Sequence, residues 1–124
     1  MNIPDHFLYT TEHEWLEFSG DKVRLGITEY AQEQLGDIVF TGLPEVGKVF
    51  GAGEILVEIE STKSVGEIYA PTSGTVTSVN GNILEHPDLL NSDPYGEGWL
   101  LEVTFSDETA PRFLTPEEYA ALIA

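Results

Sequence analysis

The sequence predicts a mainly β domain of short strands, and three observations support that expectation. Apolar residues recur at every second position in three separate segments, a spacing that puts them on one face of a pleated strand. Glycine-bearing turn pairs fall between these segments. The chain has 124 residues, 41% hydrophobic and 22% charged, which is enough for one domain with its own core and too short for two ordinary ones.

Taken in chain order, Val23, Leu25 and Ile27 alternate with Lys22, Arg24 and Gly26. Ile55, Val57 and Ile59 share one predicted face, with Glu58 and Glu60 on the other. Ile68-Tyr69-Ala70-Pro71 is a further β-like run. Val76 and Val79 fall out of parity, so their strand is expected to carry a bulge or to end early. Trp99, Leu101, Val103 and Phe105 alternate with Glu102 and Thr104, and Trp99 is expected to pack beneath the sheet. Gly20-Asp21, Gly47-Lys48, Gly51-Ala52-Gly53, Ser73-Gly74 and Asn80-Gly81 supply the turns.

Three short helices complete the expectation. Near 29–35, Thr28 can cap the first turn and Gly36 can close the helix in the left-handed conformation. A second is predicted near 82–90, although Pro87 disfavours helical geometry at His86. The third covers 116–123: Thr115 caps, Pro116 takes the first helical position and Glu118 completes a capping box. Leu114 and Tyr119 are spaced as a hydrophobic staple, with Leu122 and Ile123 turned toward the body. This helix is read as packing.

Charge is the extreme feature, with 22 acidic against five basic side chains and a formal net of −17. Such a surface repels phosphate backbones, so nucleic acid is not an expected partner. It attracts basic protein surfaces and speeds their encounter, although solubility or adaptation to salt accounts for most of the acidity. Without cysteine there are no disulfides, thiolate metal sites or cysteine nucleophiles. His6, His13 and His86 lack metal-ligand spacing, and no carboxylate pair stands beside a base or nucleophile. Asp93-Pro94-Tyr95-Gly96-Glu97-Gly98 has no phosphate-cradle pattern and reads as a shaped turn, with a docking edge as the alternative. No apolar stretch reaches membrane-spanning length, and Met1 to His6 lacks the features of a signal peptide. A bacterial cytoplasm is the expected location, or a mitochondrial matrix for a trimmed form, and the chain is expected to act as a monomer.

Lys63 stands alone among these acids, between the acidic run Gly53 to Glu60 and Ile68-Tyr69-Ala70-Pro71. Gly53 lies ten residues before it and Gly74 eleven after, so two pseudo-symmetric strands would meet with Lys63 at the apex. A lysine amine is a poor nucleophile until an enzyme desolvates and deprotonates it, so a carrier lysine needs presentation more than activation. Ser61, Ser64 and Gly66 leave it uncrowded. The competing reading is a solvated lysine loosely paired with Glu60 or Glu67, contributing under about 1 kcal/mol.

Gly53-Glu54-Ile55-Leu56-Val57-Glu58-Ile59-Glu60-Ser61-Thr62-Lys63, followed by Glu67 to Gly74, resembles a lipoyl-attachment signature. More narrowly, Tyr9 to Trp15, Gly26 to Phe40, Leu43 to Gly47 and Asp93 to Leu100 make the chain similar to the H-protein family of the glycine cleavage system. Thr62-Lys63-Ser64 replaces a common Val-Lys-Ala core, and Gly66-Glu67 departs from the usual Ser/Ala-Asp/Glu, changes that bear on ligase choice and leave the lysine in place. The resemblance implies a flattened barrel or sandwich hybrid of short antiparallel strands. It implies one lipoyl-carrier domain over 1–124, with a hairpin core at about 22–105 and a C-terminal helix at 115–124.

It also implies lipoic acid in amide linkage to Lys63 and three enzyme partners: a pyridoxal-phosphate glycine decarboxylase, a folate-dependent aminomethyltransferase and a flavin dihydrolipoamide dehydrogenase. A lipoate ligase or octanoyltransferase would attach the arm. The carrier would move an aminomethyl group and reducing equivalents while catalysing no step. Glu14, between His13 and Trp15, resembles the family's cleft residue and is expected to meet the cationic end of the loaded arm. An equally weighted alternative makes Glu14 a solvated edge residue and Trp15 a core anchor.

Other roles differ in class. A lipoyl domain of a 2-oxo-acid dehydrogenase shares the turn but is expected to sit between Pro/Ala-rich linkers. A biotin carrier usually sets its lysine between methionines, where this chain has Thr62 and Ser64. A lipoyl or octanoyl donor relay would need the same arm as the shuttle. An unmodified scaffold would leave Lys63 decorative.

Overall fold

In the computed structural model, which describes residues 1–106 and 112–124, the alternating segments form two antiparallel sheets. In chain order the elements are β1 (Leu8–Tyr9), β2 (Glu14–Ser19), β3 (Lys22–Ile27), α1 (Glu29–Leu35), β4 (Ile38–Gly42) and β5 (Val49–Phe50). They continue with β6 (Ile55–Ser61), β7 (Val65–Tyr69), β8 (Gly74–Val79), α2 (Asn82–Glu85), α3 (Leu89–Ser92), β9 (Leu101–Phe105) and α4 (Pro116–Ile123). One sheet runs β1-β2-β3-β9-β8-β5 and the other β4-β6-β7. They are not closed into a barrel, so the sandwich half of the expected hybrid describes them.

The two sheets share a core. Leu25, Val76 and Val103 of the larger sheet join Ile38, Val57, Ile59 and Ile68 of the smaller one. Val23, Leu25 and Ile27 are buried as their period-two spacing requires. The parity break at Val76 is a shift of register between Val76 and Ser78 against β9. β6 departs from its predicted face for the same reason. A register shift between Ile55 and Val57 leaves Ile55 exposed and buries Leu56 beside Val57.

The helices follow their caps. Thr28 Oγ1 accepts from the Ala31 amide at the start of α1. Gly36 ends it with a positive φ of 82°, but ψ is −157°, an extended mirror-image conformation rather than the expected left-handed helical one. The helix expected near 82–90 is split into α2 and α3, with the break at His86 and Pro87 where proline's steric rule applies. α4 has its complete capping box, with Thr115 and Glu118 bonding reciprocally. Ile123 packs inward while Leu122 stays exposed, correcting the expectation that both face the body.

A second cluster of Phe7, Tyr9, Trp15 and Tyr119 lies under β1 and α4. Phe7 stacks on Trp15 at 4.5 Å and Tyr9 on Tyr119 at 4.7 Å. Trp99 edges this cluster from outside the strand, half-buried, with the Arg24 guanidinium 4.3 Å above its ring. It therefore does not lie beneath the sheet as expected. Among the described residues, no helix is long and apolar enough to cross a membrane.

Trp15 and Gly26 are direct partners in the β2–β3 register, and the indole lies where a side chain at residue 26 would stand. Trp15 Nε1 also donates to the Pro94 carbonyl at 2.9 Å, which fixes the ring and leaves it no escape. Gly26→Ala should therefore lower unfolding stability by about 1–3 kcal/mol, the usual range for overpacking, read as a lower urea midpoint.

Candidate functional site

Lys63 sits in the turn between β6 and β7, exposed, with the hairpin closing at Glu60 opposite Val65. The turn is held by its own serines. The Ser61 amide donates to the Ser64 carbonyl at 2.9 Å, and Ser61 Oγ accepts from the Ser64 amide at 3.0 Å. Among the described residues Lys63 makes no ion pair, so the loose pairing with Glu60 or Glu67 is not what the structure contains.

The end of α1 supports this turn from below. The Thr62 amide donates to the Asp37 carbonyl at 3.0 Å. The Lys63 stem lies over Gly36, where a Cβ would stand 3.1 Å from Lys63 Cε. Leu35 lies against Gly66, where a Cβ would meet its Cδ2 at 2.9 Å. Asn91 of α3 locks the junction. Its Nδ2 donates to the Gly36 carbonyl at 2.8 Å and to Gln32 Oε1 at 2.9 Å, and its Oδ1 accepts from the Ile38 amide at 2.9 Å. Three bonds from one amide make a rigid platform.

A groove runs from this platform between α1 and β7, lined by Leu35, Ala31, His13, Gly66 and Glu67. At Glu12 it meets a cleft of about 200 Å³ bounded by Tyr9, Thr10, Tyr69, Pro71 and Phe113, with Glu14 among its walls. Lys63 and Glu14 are thus not in contact, and the groove and the cleft between them share Glu12. Along the groove β7 spans about 13 Å at strand rise.

Glu14 is 2% exposed, so the reading of it as a solvated edge residue is overturned; Trp15 is a core anchor all the same. Thr10 Oγ1 donates to Glu14 Oε1 at 3.0 Å and accepts from the Glu14 amide at 3.2 Å. Oε2 is buried with no hydrogen-bond partner among the described residues. Burial pushes this carboxyl up to about 8; the Thr10 hydrogen bond opposes the shift and the nearby Glu12 charge adds to it. A carboxyl so placed is mostly protonated at neutral pH, and its second oxygen is buried without a hydrogen-bond partner among the described residues.

His13 holds the loop before Glu14 in a left-handed backbone, φ 69°, uncommon for a residue with a side chain. Its Nδ1 lies 2.9 Å from Tyr119 Oη, which is also 2.7 Å from Thr28 Oγ1. Burial holds the imidazole below its usual value against the opposing pull of Glu12, and pushes the Tyr119 hydroxyl up to about 12. Sequence reasoning missed Tyr119 and Asn91 as site residues. The staple spacing of Tyr119 pointed only to its ring, and no sequence signal marked Asn91.

The model of the glycine cleavage H-protein family matches residues 7–124. A glycine cleavage system H protein of Clavibacter sepedonicus is 53% identical over 115 residues, covering 93% of this chain and 92% of that protein. One from Mycobacterium avium is 58% identical over 110 residues, covering 88% and 83%. The crystal structure of a glycine cleavage system H protein from Mycobacterium marinum superposes with a TM-score of 0.88 at 44% identity, covering 96% of this chain and 97% of that one.

The Glu14 carboxyl makes stability depend on pH. The folded state keeps a proton that an unfolded glutamate loses above about 4.5, so folding loses stability as pH rises from there to about 8 and levels off beyond. Glu14→Gln removes the titrating group. The Tm of the variant minus that of the parent should therefore grow between pH 5 and 8; a difference independent of pH would contradict the assignment.

Proposed function

The chain belongs to the glycine cleavage H-protein family, and from that premise we propose that Lys63 carries a lipoyl group whose loaded end is kept in the Glu14 cleft. The protein is the lipoyl-bearing carrier of the glycine cleavage system. In this reading it takes an aminomethyl group from glycine decarboxylase to a folate-dependent aminomethyltransferase, and presents the reduced dithiol to a flavin dihydrolipoamide dehydrogenase. The lipoyl group supplies the sulfur chemistry; this chain's residues supply presentation, shelter and charge. They catalyse none of the steps. Bacterial relatives support placing this work in a bacterial cytoplasm.

One observation carries the proposal: Lys63 is exposed, a groove lined by Leu35 and Gly66 beside its turn shares Glu12 with the cleft, and the cleft holds a buried carboxyl, Glu14, with one oxygen unpartnered among the described residues. The residues fit the group. The turn leaves Lys63 open to a lipoate ligase or octanoyltransferase, and amide formation removes one of five positive charges from an already acidic chain. An aminomethyl cargo ends in an ammonium that hydrolyses when water reaches it. In this reading such a cation bonds Glu14 Oε2, which has no partner among the described residues, and draws the carboxyl to its ionised form with release of its proton. A relay that only donated lipoyl groups would use Lys63 and would have no need of this cleft.

Two measurements test the reading. Incubated with lipoate, ATP and a lipoate ligase, the parent protein should gain one lipoyl mass, while Lys63→Arg should gain none and fail to support glycine cleavage. A biotin adduct, or no adduct on the parent, would refute it. In the loaded carrier Glu14→Gln should release formaldehyde and ammonia about tenfold faster, since a charge-assisted hydrogen bond is lost. An unchanged release rate would remove Glu14 from the site.

A further inference from the structure

The C-terminal helix α4 reads from sequence as packing, yet one of its side chains reaches the loop before Glu14. Tyr119 is fully buried, its ring stacked on Tyr9 at 4.7 Å, and Tyr9 is itself a wall of the Glu14 cleft. The segment leading into α4 supplies another wall. Leu114 bridges Tyr9, its amide donating to the Tyr9 carbonyl at 2.7 Å and its carbonyl accepting from the Tyr9 amide at 2.9 Å. The cleft is thus built from both ends of the chain.

The loop from Thr10 to Glu14 is tight. The His13 amide donates to the Thr10 carbonyl at 3.2 Å, and the Thr10 amide to the Glu14 carbonyl at 3.0 Å. It requires the positive φ of 69° at His13, which a residue with a Cβ keeps only where its surroundings hold it. Two contacts from outside the loop do so. The Thr28 amide donates to the His13 carbonyl at 3.1 Å, and Tyr119 Oη lies 2.9 Å from His13 Nδ1. Tyr119 Oη is also 2.7 Å from Thr28 Oγ1, which accepts from the Ala31 amide at 3.2 Å. One direction of donation satisfies every member: Ala31 amide to Thr28, Thr28 to Tyr119, and Tyr119 to an unprotonated His13 Nδ1. Reversed, the buried Thr28 hydroxyl proton would have no acceptor among the described residues. Burial favours the neutral imidazole, in keeping with that direction.

We propose that Tyr119 is a positioning residue for the loaded arm, its hydroxyl holding the His13 turn and thereby keeping the Glu14 carboxyl in its buried place. The inference rests on the reading that this cleft shelters the end of the lipoyl arm. Tyr119 lines neither the groove nor the cleft, so it acts through His13 rather than on the cargo. Without the hydroxyl, the imidazole keeps only ring contacts, with Tyr30 at 4.6 Å and with the residue 119 ring at 5.8 Å. Neither fixes its direction. The turn then relaxes from its left-handed backbone, and water enters beside Glu14.

Tyr119→Phe tests this, because it removes the hydroxyl and leaves the ring on Tyr9. In the apo protein, an NMR titration of the Glu14 carboxyl should move down from about 8 by about one unit or more. From the loaded carrier, formaldehyde and ammonia should escape about fivefold faster, the change expected for one lost hydrogen bond. Combined with Glu14→Gln, the tyrosine change should add nothing to the release rate of Glu14→Gln alone, since both act on one carboxyl. His13→Asn, which a left-handed backbone tolerates, should also speed release. Leu122→Ser, on the exposed face of the same helix, should match the parent in titration and release. A Tyr119→Phe protein with a lower Tm but the parent's titration and release rate would reduce Tyr119 to packing and overturn the proposal. So would additive effects in the double variant. A parent that gains no lipoyl mass would instead overturn the carrier reading, while the Glu14 titration of the apo protein would still decide whether Tyr119 positions the carboxyl.

Discussion

The rest of the molecule depends on α1 being pinned at both ends. At its start, Tyr119 Oη meets the capping hydroxyl of Thr28 and the imidazole of His13 together. At its end, Asn91 ties the Gly36 carbonyl and Gln32 to the first amide of β4. A seven-residue helix has little stability of its own, so these tertiary anchors decide whether it keeps its place. The place matters because the two ends serve different parts of the site. The first end holds the loop that aims Glu14, and the second holds the platform under the Lys63 turn. A shift of α1 would displace both the turn that carries Lys63 and the loop before Glu14.

Electrostatics divide the same way. Among the described residues most acidic side chains are exposed, where solvent screens their charge and its effect is on solubility and encounter. Glu14 is the exception, the one ionisable acid among the buried residues described. Its environment penalises the charged form instead of screening it. An acidic surface therefore attracts basic partners from outside, while the buried carboxyl inside favours its uncharged form. One residue type plays two roles because its surroundings differ in dielectric and in hydrogen bonding.

Much of this was legible in the sequence. The strand at Val23 to Ile27, the cap at Thr28, the capping box at Thr115 and the parity break at Val76 all rest on local rules, and each appears in the structure. Lys63 at a hairpin apex was also legible, since two strand-like runs around one short polar segment have few other ways to fold. What was not legible depended on contacts between distant segments. The exposure of Ile55 follows from a register shift set by the partner strand. The position of Trp99 follows from the aromatic cluster beneath α4 and from Arg24 above its ring. The roles of Asn91 and Tyr119 involve partners 53 to 106 residues away, and no periodicity encodes such pairs. The burial of Glu14 was hidden because a strand's first residue carries no local sign of which loop will cover it.

The local rules that this chain breaks are concentrated on one path. His13 adopts a positive φ without being glycine, Glu14 buries a carboxyl oxygen with no partner, and Glu58 and Glu67 face each other across a hairpin. Each is unfavourable by itself, and natural sequences tend to keep such conflicts only where something other than stability is served. Away from this path the same chain follows the rules closely, with an indole seated on Gly26 and a complete capping box on α4. If the conflicts were incidental they would be scattered through loops and edges. Instead they mark the outer face beside Lys63, the groove that leads from it and the cleft where that groove ends. The distribution of strain thus traces the same route as the geometry, although backbone dihedrals, hydrogen-bond satisfaction and strand register are independent measures of it.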